Sequence, residues 1–99
     1  MKIIGTGRSH PSLVVTNEML SQILDTSDEW ITTRTGIKER RIISSENLED
    51  LAIDAAKKAL ADANMEAKDL DYIICANVVN EFISPAMSCL IQGAIGANC

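Results

Sequence analysis

The sequence has a single histidine, and its three cysteines, Cys75, Cys89 and Cys99, show no C-x-x-C spacing. No ligand set at zinc spacing can be assembled from them, and no metal is expected. An odd cysteine count without a secretory leader fits free thiols in a reducing compartment, so a soluble, cytoplasmic protein is expected. The opening MKIIGTGRSHPS has too short an apolar run for a signal peptide, and glycine and charge interrupt it. No window approaches membrane-spanning length, so no membrane partner is expected. Positive charge is in deficit: 9 Lys and Arg against 14 Asp and Glu leave a net charge of −5. A general nucleic-acid binder is basic overall, so nucleic acid is not an expected partner, although a local basic patch can still meet an anion. Repeats, linkers and low-complexity stretches are missing as well. What remains is 99 residues, 46% of them hydrophobic, enough for a core and for one domain at most.

Hydrophobic spacing outlines the elements. Lys2 to Gly7 (KIIGTG) reads as a short buried strand ending in glycines, and Thr16 to Leu24 as a brief helix capped by Thr16 or Asn17. A second helix starts at Thr26, where Thr26-x-x-Glu29 forms a capping box and Asp28 adds favourable charge to the first turn. Gly36 is its natural left-handed terminator, and Ile37 to Ile43 follows as an extended segment. The strongest pattern runs from about Glu46 to Ala63: Leu48, Leu51, Ala52, Ala55, Ala59, Leu60 and Ala63 make one continuous stripe. So many alanines imply close packing on something flat, and Asn64 suits the left-handed C-terminal position. Leu70 to Val79 (LDYIICANVV) reads as a strand buried on both faces. Ser84 and Pro85 then serve as cap and first helical position of a helix through Met87, Leu90, Ile91, Ala94 and Ile95, stopped by Gly96. The order strand, helices, strand, helix predicts an α/β fold with a parallel or mixed sheet packed by helices. A sheet of so few strands would leave a long unpaired edge, so residues 1–99 read as an incomplete domain, a fragment.

Several features invite chemistry and do not sustain it. Gly5-Thr6-Gly7 after a strand suggests dinucleotide binding, but His10 stands at the third glycine position and Pro11 follows where a helix should run. His10, in a proline-flanked loop without a partner, reads as a surface residue. Cys89 within PAMSCLIQ and Cys75 within its strand read as packed thiols, since a reactive thiolate wants a helix N-terminus or a cationic neighbour. The richer segment is Asp25 to Ile42, DTSDEWITTRTGIKERRI, with the only tryptophan of the chain and a burst of positive charge. On a helix starting near Ser27, Trp30 and Arg34 are four apart and share a face, with Thr26 at the helix end. An indole beside a guanidinium can stack a planar base, a cap threonine can bond its edge, and the nearby Arg40 and Arg41, in a segment that Lys38 also makes basic, can hold phosphates. The same residues also admit a plain account: a core tryptophan, a solvated arginine face and a capping threonine. Spacing alone leaves both open.

The segment DTSDEWITTRTGIKERRI closely resembles the N-terminal part of the β-ketoacyl-acyl carrier protein synthase III family, condensing enzymes of the thiolase superfamily. KIIGTG, the alanine-rich helix, YIICANVV and PAMSCLIQGAIGANC follow in that family's order. The resemblance covers essentially all 99 residues and the first third of a family member. It implies a thiolase-like fold, represented by part of its N-terminal half. It implies an acyltransferase that joins an acyl-CoA primer to malonyl-acyl carrier protein with loss of carbon dioxide, starting fatty-acid synthesis. The CoA-binding threonine, tryptophan and arginine of the family fall on Thr26, Trp30 and Arg34, with the indole stacking the adenine. No resident cofactor is implied, because CoA arrives as substrate, and the partner expected of the chain itself is a second copy in a homodimer. No catalytic residue carries over: the family nucleophile falls beyond the position of Cys99, and Cys89 matches a non-catalytic helix. Where the family often has an aromatic residue before Pro85, this chain has Ser84, with Phe82 and Ile83 upstream, which leaves primer length open. Val78 to Met87 is expected near the dimer interface. Two rivals stand beside this reading: a related polyketide- or quinolone-type condensing enzyme, and a non-catalytic domain that binds CoA or acyl carrier protein.

Overall fold

β-Branched residues favour the pleated backbone, and Leu13–Thr16 (LVVT) forms a strand, β1, that pairs antiparallel with β2, Glu39–Ile42. The computed structural model that shows this describes residues 1–78 and 84–98. The chain divides into two units, His10–Glu46 and the combination of Met1–Ser9 with Asn47–Cys99.

In His10–Glu46 the register sets Leu13 opposite Ile42, Val14 opposite Arg41, Val15 opposite Arg40 and Thr16 opposite Glu39. Thr16 then caps helix α1, Asn17–Ser21, by accepting from the Met19 amide at 3.3 Å. This helix is shorter than the expected Thr16 to Leu24, because residues 22–24 close in turns back onto Met19 and Leu20. Helix α2, Asp28–Thr35, ends as the sequence requires at Gly36, which is left-handed with φ 72° and donates to Thr32 O. Its cap is Ser27, not Thr26: Ser27 Oγ accepts from the Trp30 amide at 3.2 Å. The expected capping box is therefore not made. The Thr26 amide is still engaged in the preceding turn, donating to Leu24 O at 2.9 Å, so the helix enters one residue later.

In the other unit, helix α3 is Leu48–Ala63, with Asn47 at its N-terminus and Asn64 left-handed at its end (φ 52°). The glycines of KIIGTG lie against it: a Cβ at Gly5 would stand 2.7 Å from Ala63 Cβ, and one at Gly7 would overlap the backbone of Ala55 and Ala59. Close backbone approach onto an alanine surface is thus what Gly5 and Gly7 provide. The Thr6 amide is fixed by Asp62 at 2.9 Å. A short 3-10 turn, Ala67–Asp69, carries a reciprocal Glu66/Asp69 capping box that apolar spacing does not announce. Helix α4, Met87–Ile95, packs on α3 through the buried pair Met87 and Ile91. It begins after Ala86, not at Pro85: Ala86 is still extended, and its carbonyl accepts from the Cys89 amide at 3.0 Å and the Leu90 amide at 3.3 Å. Gly96 ends it in the left-handed conformation, φ 78°.

The chain is α/β, but the only hydrogen-bonded sheet among the described residues is the two-stranded β1–β2. Lys2 to Gly7 and Leu70 to Val78 make no ladder there, and the fully buried strands expected of them are not seen. A strand is completed by its neighbour. Without one, Ile3, Ile74 and Val78 stand 77%, 88% and 99% exposed. Val79, Phe82 and Ile83 lie outside the described residues. No described helix is long and apolar enough to cross a membrane.

Candidate functional site

Within His10–Glu46, helical spacing does what the sequence requires of it. Trp30 and Arg34 meet on one side of α2, with Arg34 Cζ 4.2 Å from the indole centroid, inside cation–π range. Arg34 Nη1 also lies 3.5 Å from Trp30 O, and its charge in the last turn suits the negative end of the helix dipole. The tryptophan is not core: it is 52% exposed, and with Ser27, Glu29, Thr33 and Arg34 it lines a shallow depression. Within these residues the indole is therefore not part of a core. A planar, electron-rich group can reach the indole, and a guanidinium already stands beside it.

Thr26, the third predicted residue, faces elsewhere. It lines a neighbouring recess with Thr16, Asn17, Ser21, Asp28 and Lys38, while Ser27 borders both. Its hydroxyl is enclosed and makes no hydrogen bond. The structure therefore brings Trp30 and Arg34 together and sets Thr26 in the adjoining recess. Two of the basic residues named for phosphate have structural duties instead. Arg40 donates to Val15 O at 3.1 Å and to Asn17 Oδ1 at 2.5 Å, and Arg41 donates to Pro11 O at 3.3 Å.

Beneath α2 lies a polar cluster that sequence reasoning did not find. Asn17, 1% exposed, donates to Asp28 Oδ1 at 2.7 Å and to Ile37 O at 2.8 Å, with Thr32 Oγ1 at 3.4 Å. Hydrogen bonds from Asn17 and then Thr32 hold the Asp28 carboxyl below its ordinary range, with Lys38 adding a smaller pull in the same direction. At the base of the β1–β2 pair, Glu46 accepts from Ser12 Oγ at 2.5 Å, from Ser12 N at 2.8 Å and from Ser44 N at 3.3 Å. These bonds lower its pKa to about 2.

In the other unit, Cys89 is not the packed thiol expected. It is exposed, in the first turn of α4, beside a recess lined by Asp71, Tyr72 and Gln92. Cys75 is half-buried and Cys99 lies outside the described residues. His10, exposed, keeps its ring beside its neighbour's carbonyl, Pro11 O, at 3.3 Å. Among the described residues no group of three or more His, Cys, Asp or Glu is placed to hold a metal ion.

No protein-family model matches the chain. It is similar to the β-ketoacyl-acyl-carrier-protein synthase III of Clostridium botulinum (strain 657 / Type Ba4), at 50% identity over 97 residues, 98% of this chain and 30% of that protein. The crystal structure of 3-oxoacyl-acyl-carrier-protein synthase III from Aquifex aeolicus VF5 superposes with a TM-score of 0.92 at 50% identity, covering 98% of this chain and 32% of that one. The priming β-ketosynthase of the R1128 polyketide biosynthetic pathway superposes with a TM-score of 0.91 at 30% identity, over 98% of this chain and 29% of that one. The α/β arrangement is accordingly part of the thiolase-like fold of these enzymes. Over nearly its whole length the chain matches β-ketoacyl-acyl carrier protein synthase III enzymes, as a segment spanning about 30% of the length of the curated relatives it matches.

Proposed function

We propose that this chain supplies the nucleotide-facing part of the acyl-CoA site in a synthase III acyltransferase. That enzyme joins an acyl-CoA primer to malonyl-acyl carrier protein with decarboxylation and so initiates fatty-acid synthesis. The observation that carries the reading is the Trp30–Arg34 pair, 4.2 Å apart on a helix face with the indole half exposed. The adenine of CoA stacks on the open part of the indole, and the guanidinium meets the adjoining phosphates. Lys38 borders the neighbouring recess, where its ammonium can take polar atoms of the same ligand, while Thr26 lines that recess with its hydroxyl enclosed. CoA comes and goes as substrate, and no resident cofactor is invoked.

The acyl-carrying nucleophile is not assigned to this chain. Cys75 is half-buried, and the residues lining the recess beside Cys89 include no cation of the kind a reactive cysteine uses. The working enzyme is assigned to the cytoplasm as a homodimer. The similarity to a polyketide priming ketosynthase supports a second reading, the same condensation feeding a polyketide-type product. It ranks behind the first because its identity is 30% against 50%.

Calorimetric titration with CoA tests the assignment. Trp30→Ala is expected to weaken binding by about 1–3 kcal/mol, the usual worth of a base stacked on an aromatic ring. Equal affinity for CoA in folded wild type and variant would remove Trp30 from the site.

A further inference from the structure

Helix α2 carries the ligand-facing pair, yet it has no buried residue of its own. An amphipathic helix is normally held through an apolar stripe, and DEWITTRT has none. What grips it is Asn17. This fully buried amide reaches Asp28 in the first turn of α2, Thr32 one turn later and the carbonyl of Ile37 just past the Gly36 terminator. From the other side Arg40 of β2 donates to Asn17 Oδ1 at 2.5 Å, and the Asn17 backbone amide donates to Lys38 O at 3.1 Å. One side chain thus ties both ends of α2 to the sheet.

Helical phase makes this consequential. Asp28 and Thr32, four apart, share one face, and Trp30 and Arg34 share another, two residues further along. At 3.6 residues per turn the two faces lie roughly 200° apart around the axis. Gripping the first fixes where the second points. Rotating α2 by a single residue would swing the indole by about 100°.

We propose that Asn17 is a positioning residue for ligand recognition: by holding the Asp28/Thr32 face of α2 it sets the direction in which Trp30 and Arg34 meet the nucleotide. Though it borders the Lys38 recess, it is 1% exposed and its side-chain hydrogen bonds go to the protein, so it acts through α2. The inference rests on the reading of Trp30 and Arg34 as the CoA platform, and the test separates the two.

Two readouts on the whole chain decide it: CoA affinity by calorimetry, and the ring-current shift of the Arg34 side-chain protons by NMR in the absence of ligand. Asn17→Asp keeps the acceptor for Arg40, removes both amide hydrogens and sets a second carboxylate against Asp28. It is expected to lower CoA affinity at least about tenfold, the scale of one buried hydrogen bond to a charged group, and to move the Arg34 resonances toward unstacked values. Asn17→Asp/Asp28→Asn restores one donor–acceptor pair and the original net charge, and is expected to regain part of both. Asp28→Ala is the second variant, made at an exposed position. Removing a carboxylate should by Coulomb attraction alone strengthen binding of an anion, so the several-fold weakening expected here is a signature of positioning. Unchanged Arg34 shifts in folded Asn17→Asp, or in Asp28→Ala should Asn17→Asp fail to fold, would overturn the proposal. Absence of CoA binding by the wild type would overturn the CoA reading alone, and the Arg34 shifts would still decide the role of Asn17.

Discussion

Helix α2 in His10–Glu46 and helix α4 in the other unit are nearly equal in length, eight and nine residues, and both end at a left-handed glycine. They are held by different physics. Helix α4 buries Met87 and Ile91, one turn apart, against the alanine-rich α3, and its N-terminal residue Ala86 offers no side-chain cap. Helix α2 buries nothing, and relies on a serine cap, a glycine stop and the amide of Asn17. Burial is non-directional and tolerant of small rotations, while hydrogen bonds are directional. An element that must present two side chains at a fixed angle is served by the second kind of attachment, and one that fills a core by the first.

The contrast can be broken at its strongest point by Ile91→Ala. Truncation of a nearly fully buried isoleucine should cost about 2–5 kcal/mol, read as faster amide exchange in α3 and α4 with no matching change in β1 and β2. Equal acceleration in both units would show that they do not stand on separate supports. Next in size is the cap. Ser27→Ala should cost about 1 kcal/mol and loosen the first turn of α2. Thr26→Ala should leave that turn unaffected, because the Thr26 hydroxyl has no partner to lose. The reverse order would restore Thr26 as the cap and undo the shift seen here. The smallest effect is the pH response of the β1–β2 base. The folded pKa of Glu46 is lowered from 4.5 to about 2, chiefly by Ser12, so the ionised carboxylate favours the closed base of the β1–β2 pair. That contribution is complete above about pH 4.5 and fades as the pH falls toward 2. Amide protection of Ser12 should decline across that window in wild type and stay flat in Glu46→Gln.

Local chemistry made much of this legible in the sequence. Gly36, Asn64 and Gly96 are left-handed terminators where expected, because each follows the last residue of a regular helical pattern. The stacking of Trp30 and Arg34 needed only a four-residue spacing on a helix. Strands were harder, since a strand depends on what lies beside it. LVVT is a run too short to stand out by apolar spacing, yet it pairs, while Lys2 to Gly7 and the longer apolar stretch of Leu70 to Val78 have no ladder among the described residues. Asn17 could not have been found by pattern at all. Its side-chain partners lie 11 to 23 positions away, and nothing about an asparagine after a threonine reveals that it will be buried. Thr26 shows the opposite failure: a good capping pattern lost to a neighbouring serine because the preceding turn held its amide.

Arg40 has a further consequence. Its guanidinium spans from Val15 O, on the residue directly across the sheet, to the amide oxygen of Asn17 two positions on. Were β2 to slide along β1 by one residue, Arg40 would pass to the other face of the sheet and give up both hydrogen bonds at once. A two-stranded ribbon with little apolar burial depends on such hydrogen bonds to forbid a slip. Arg40 therefore works as a gauge of alignment, satisfied by one pairing of the strands and rejecting its nearest competitors.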